Sequence, residues 1–98
     1  MYEEPTSRRR NREVADLLEE IGDLLEIKGE QRFRINAYRT AARRIESLTE
    51  PIETLFAERR LREIPGVGEA LEQKITEFLA TGRLEYIDRL RGDRKSVV

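Results

Sequence analysis

The 98-residue sequence contains no cysteine, no histidine and no tryptophan. Without cysteine there are no disulfide staples and no thiolate metal sites, and without histidine there is no imidazole base and no Ser-His-Asp triad. Only three Tyr and three Phe are present, and strand-like alternation of useful length is missing, which argues against a sandwich or a barrel. No apolar run approaches the length of a membrane span, and no hydrophobic segment of the secretory type follows the arginine-rich start. The length allows one small domain and no second core.

Charge is abundant. Charged residues make up 40% of the chain and hydrophobic ones 38%, a balance suited to strongly amphipathic helices. Nineteen basic residues face twenty acidic ones for a net charge of −1, so the total alone does not point to nucleic acid. The total hides a segregation, however. Residues 13–30 carry seven acids against Lys28, a local balance of −6, whereas residues 32–44 carry Arg32, Arg34, Arg39, Arg43 and Arg44 with no acid. Arg59, Arg60 and Arg62 against Glu63 add a smaller basic stretch. Two readings fit and can coexist: the flanks of two antiparallel helices pair with one another, or helix two and the segment after it assemble one basic face. Lysine occurs only at 28, 74 and 95, with sixteen arginines supplying the remaining positive charge; an arginine-biased genome accounts for this as well as function does.

The apolar periodicity predicts an all-α fold, a compact bundle of about four main helices. Residues 1–10 have no periodicity and read as a disordered lead-in, with Asn11 as the N-cap of a first helix carrying Val14, Leu17, Leu18, Ile21, Leu24 and Leu25. Gly29 suits the left-handed position that ends it. A second helix spans about Phe33 to Leu48. Thr49 signals a short third one, with Pro51 in its first turn. A turn of helix near Leu61–Ile64 meets Pro65-Gly66-Val67-Gly68, and a further helix runs from there to Thr81-Gly82. Leu84, Ile87 and Leu90 mark a last short helix before a flexible tail, 92–98. The expected core is Leu17, Leu18, Ile21, Leu25, Tyr38, Ala41, Ile45, Leu55, Ile64, Leu71, Ile75, Phe78 and Ile87.

The stretch Leu61–Ile75 carries the chemistry. Gly66 and Gly68 admit backbone angles closed to other residues and let another backbone approach, and Val67 between them can plug the helix junction. The amides of Gly68, Glu69 and Ala70 then open a helix at the positive end of its dipole, a ready site for a phosphate oxygen. An ordinary tight turn between helices is the other reading. Lys74 lies with Leu71, Ile75, Phe78 and Leu79 at helical spacing, on the edge of an apolar stripe. Partial desolvation there would favour the neutral amine, although a lysine that covers the core with its stem and reaches water with its ammonium fits equally.

With those residues in view, the chain resembles the helix-hairpin-helix family, and more closely the N-terminal domain of family X DNA polymerases of the DNA polymerase beta type. The resemblance covers residues 11–91. It is carried by FRINAYRTAARRIESL (33–48), EIPGVGEALEQKI (63–75) and EFLATGRL (77–84). It implies sequence-independent binding of gapped, nicked or single-stranded template DNA in repair, through Arg34, Tyr38, Arg39, Arg62, Gly66, Val67, Gly68, Glu69 and Ala70. It also implies a monovalent cation, Na+ or K+, held by the backbone carbonyls of Arg62, Ile64 and Val67; no other cofactor is expected. In lyase-active members a lysine matching Lys74 forms a Schiff base with deoxyribose-5-phosphate.

Three departures touch that chemistry: Ala70 stands where those members have a further lysine, Gln73 replaces an acid, and Tyr86 aligns with a phosphate-pocket lysine. A histidine that can stack on the template aligns with Phe33. A monomeric, intracellular domain is therefore expected, with no polymerase catalytic domain and no membrane partner. Its alternatives are a Lys74 lyase and a helical domain that binds protein through its acidic first helix.

Overall fold

The computed structural model describes residues 6–92. Among them the chain is all-α, with five helices and no strand: α1 (Thr6–Ile27), α2 (Arg32–Glu46), α3 (Ile52–Ala57), α4 (Glu69–Thr81) and α5 (Glu85–Gly92). A single 3-10 turn, Leu61–Glu63, leads into the hairpin. No helix among the described residues is long and apolar enough to cross a membrane.

α1 and α2 form the framework. Val14, Leu18, Ile21 and Leu25 of α1 are buried against Ile35, Tyr38, Ala41, Ala42 and Ile45 of α2, each set at the spacing that puts it on one helical face. The helices run antiparallel, as the ion pairs of Arg32 with Glu26 and of Arg39 with Asp23 show. Gly29 ends α1 as expected, with φ of 79°. Its amide donates to the Glu26 carbonyl at 3.1 Å and that of Glu30 to Leu25 at 3.0 Å, which satisfies carbonyls the helix end would otherwise leave open. The remaining helices, the 3-10 turn and the connection before α5 close the core with Ile52, Leu55, Leu61, Leu71, Ile75, Leu84 and Ile87. Every residue of the expected core is buried except Leu17 and Phe78, which are partly buried and pack against it.

Three expectations about the ends of elements are corrected. α1 begins at Thr6, so the expected disordered lead-in of residues 1–10 is helical from residue 6; residues 1–5 lie outside the described residues. Asn11 is accordingly no N-cap of α1. It lies within that helix at 5% exposure and turns inward: its Oδ1 accepts from the Ile52 amide at 2.7 Å and its Nδ2 donates to the Glu50 carbonyl at 3.0 Å. The residue that looks like the cap of its own helix caps α3 instead, because the α3 cap position is Pro51, which makes no side-chain capping bond. Thr49 takes no part in this cap. At the other end α5 runs through Gly92, one residue into the expected tail, and residues 93–98 lie outside the described residues.

Candidate nucleic-acid interface

The hairpin is built from a tight turn laid on α2. The 3-10 turn ends at Ile64, whose carbonyl accepts from the Val67 amide at 3.0 Å. Gly66 has φ of +93°, a conformation that L side chains rarely adopt, and its missing Cβ would lie 3.7 Å from the Thr40 methyl and 3.9 Å from the Ala41 backbone. Glycine is thus required there by its torsion and also permits close packing on α2. Val67, 5% exposed, drives its side chain into the core and pins the loop. At this residue only the backbone can therefore meet a ligand.

Beyond the plug the chain opens outward. Gly68 is the N-cap of α4, with no side-chain capping bond, and a Cβ placed on it would meet nothing within 4 Å. The first-turn amides of Glu69 and Ala70, both exposed, have no intrahelical acceptor. They sit at the positive end of a 13-residue helix. An anion reaches these amides without displacing any side chain cap. The Arg62 and Val67 carbonyls accept none of the turn's hydrogen bonds. Among the described residues no group of three or more acidic side chains gathers into a metal site; the carbonyls of Arg62 and Val67 are hard oxygen donors left open at the hairpin.

The expected arginines behave differently from one another. Arg39 is held by its own protein: its Nη2 donates to Asp23 and to Glu26 at 2.8 Å each, and these bonds, Glu26 first, raise its pKa above the ordinary value. Its stem crosses α1 at Gly22, where a Cβ would come within 3.1 Å of Arg39 Cγ. Arg34 pairs with Glu30 at 3.5 Å and Arg62 with Glu72 at 3.3 Å. Both contacts are exposed and easily exchanged for a phosphate. The flanks of α1 and α2 do pair, as one of the two readings of the charge segregation required. Arg43 and Arg44, exposed in the last turn of α2, make no ion pair among the described residues.

Tyr38 is 6% exposed, a core side chain whose ring offers DNA no face. It stacks on Tyr86 with centroids 6.4 Å apart and planes 13° from parallel. Burial, and then the neighbouring Tyr86, push its pKa well above the usual tyrosine range. Lys74 completes the cluster, its Nζ 4.5 Å from the Tyr86 ring centre. Desolvation lowers the Lys74 pKa, and Arg34 lowers it further while Glu77 opposes. Gln73, Lys74, Glu77, Glu85, Tyr86 and Arg89 line a concavity of about 210 Å³. The structure thus brings Arg34, Tyr38 and Lys74 together with Tyr86, while Arg39 is committed to α1. The role of Tyr86 as the platform under Lys74 was not legible, since residues 74 and 86 lie on different helices. Phe33 stands 71% exposed at the start of α2.

A family model described as a helix-hairpin-helix domain matches residues 9–84. The match spans all of α2, α3 and α4 and nearly all of α1.

Proposed function

The chain belongs to the helix-hairpin-helix domain family, whose members generally bind DNA, and from that premise we propose that it grips the DNA sugar-phosphate backbone without reading sequence. The observation that carries this reading is the uncapped, sterically open start of α4 behind Gly68. One phosphate oxygen accepts from the first-turn amides, and Arg34 and Arg62 exchange their exposed carboxylate partners for neighbouring phosphates. The backbone carbonyls of Arg62, Ile64 and Val67 would hold a monovalent cation, whose charge would favour a phosphate at the hairpin; these neutral oxygen donors suit such an ion. The exposed Phe33 ring supports gapped or nicked DNA as substrate, where an unpaired base is available for stacking. A repair role of the polymerase beta type is the finer form of this proposal, carried by the resemblance of residues 33–48, 63–75 and 77–84.

A specific observation favours a second reading, deoxyribose-5-phosphate lyase activity. The Lys74 amine is partly desolvated and lies beside Arg34, which favours the neutral form that attacks an aldehyde. The imine formed with loss of water would acidify the adjacent C2′ proton, and its removal would expel the oxygen on C3′.

A titration of gapped DNA with wild type and Gly68→Asp tests the main reading. Aspartate is a good N-cap and clashes with nothing here, so the fold persists while a carboxylate takes the phosphate position. Affinity should fall at least about tenfold, and wild-type binding should weaken steeply between ~50 and ~200 mM salt. Unchanged affinity in Gly68→Asp, or salt-insensitive binding, would overturn it.

A further inference from the structure

α2 carries five arginines, and the structure divides them sharply. Arg32, Arg34 and Arg39 are paired with acids in or just after α1, whereas Arg43 and Arg44 make no ion pair among the described residues. The free pair does not stand on the face that meets α1. Thr40, Arg43, Arg44 and Ser47 follow the i, i+3, i+4, i+7 pattern of one helical stripe, and with Glu46 they line an open groove of about 530 Å³. The stripe begins where the hairpin rests, because Thr40 is the side chain against Gly66.

We propose that this groove is a second phosphate-binding subsite, which takes the backbone of the same DNA strand one or two nucleotides beyond the phosphate seated on the hairpin. The proposal rests on the DNA-binding reading and extends it to residues outside the hairpin. Arg44 lies four residues past Thr40, about 6 Å along the helix axis. Successive nucleotides advance about 3.4 Å along a strand, so the stretch from Thr40, which lies against the hairpin, to Arg44 is about two steps long. Exposed guanidiniums with no competing carboxylate partner are pre-organised for phosphate. They sit at the end of α2 where the dipole favours cations and opposes an anion, so the guanidiniums rather than the backbone must hold the phosphate. Ser47 Oγ donates back to the Arg43 or Arg44 carbonyl, each at 3.2 Å, which leaves the arginines as the groove's ligand-facing donors. Glu46 is the one opposing charge in the lining and makes no ion pair with either arginine, so it sets a brake on the site.

The test uses the whole chain and a gapped DNA, with affinity measured by fluorescence anisotropy across ~50 to ~200 mM salt. Arg43→Ala and Arg44→Ala should each weaken binding several-fold and lower the slope of log K against log salt by about 0.9, one released counterion each. Glu46→Gln should tighten binding. Arg83→Ala serves as the charge-matched control: Arg83 lies past the far end of α4 from the hairpin and pairs with Asp88, and it should leave the slope unchanged. If wild type binds and Gly68→Asp abolishes binding, yet the Arg43 and Arg44 variants keep the wild-type slope, the groove is no subsite and the hairpin reading stands. The groove is equally excluded if Arg83→Ala lowers the slope as much as they do. If wild type fails to bind at low salt, both readings fall together.

Discussion

Asn11→Ala should cost this domain about 2 kcal/mol of stability, far more than a polar-to-alanine change within a helix normally does. Two hydrogen bonds disappear together: the 2.7 Å bond that satisfies the buried Ile52 amide and the 3.0 Å bond to the Glu50 carbonyl. A buried backbone donor left without a partner costs about 1–3 kcal/mol, and loss of an N-cap side chain typically about 1 kcal/mol. Unfolding entropy of about 2.1 cal/mol/K per residue gives the 98-residue chain roughly 0.2 kcal/mol/K, so ~2 kcal/mol lowers Tm by about 10 °C. Thermal unfolding followed by circular dichroism reads the loss. Hydrogen exchange should place it, with the α3 amides losing protection first. Asn11→Leu separates packing from polarity, since a side chain with the same branching and number of heavy atoms fills the space and still leaves both backbone groups unpaired. A Tm within about 2 °C of wild type for Asn11→Ala, or full recovery in Asn11→Leu, would refute the reasoning.

Two further outcomes follow from the Tyr38–Tyr86–Lys74 cluster. Borohydride reduction with a 5′-deoxyribose-phosphate substrate should trap a covalent adduct that Lys74→Ala abolishes and Lys28→Ala retains; no wild-type adduct, or an equal one in Lys74→Ala, removes the lyase reading. Tyr38 is raised above its ordinary 10.0, so its contribution to stability is fully present below about pH 10 and is lost as pH rises toward the folded value. The Tyr38→Phe variant should therefore lose less stability than wild type between pH 9 and 11 by chemical denaturation, and an identical alkaline decline would contradict this. Lys74 acts in the opposite sense, because its lowered pKa makes the protonated form costly in the fold, and comparing variants at one pH cancels its effect.

Sequence and structure agree where neighbours in sequence are neighbours in space. Helical periodicity located the buried faces of α1 and α2, and Gly29 marked the end of α1 because a C-terminal cap is a local event. The Pro-Gly-Val-Gly turn was legible for the same reason: torsion demands at Gly66 and the apolar plug at Val67 are written in adjacent positions. Asn11 misled because side-chain type and local position suggested a cap, while the amide that needed capping lay 41 residues away. Arg39 shows the same limit: its motif marks it for DNA, while its partners Asp23 and Glu26 are supplied by another helix and are not visible locally. Helical periodicity put Tyr38 in the core with Ala41 and Ile45, but its stacking partner Tyr86 lies on another helix and was not visible in the local pattern.

The internal pairing of Arg39, Arg34 and Arg32 has a kinetic consequence. With three of the five α2 arginines already facing acids of the same chain and a net charge of −1, the molecule projects little long-range field. The partial charge of a helix start fades within about one turn, so it acts only at contact. Association with DNA should therefore proceed near the unsteered rate of about 10⁵–10⁶ M⁻¹s⁻¹ and respond weakly to ionic strength. Salt should act instead on how long the complex lasts. Encounters would be unselective and infrequent, and discrimination would fall to the dissociation step, in which the hairpin either finds a phosphate it can hold or lets go.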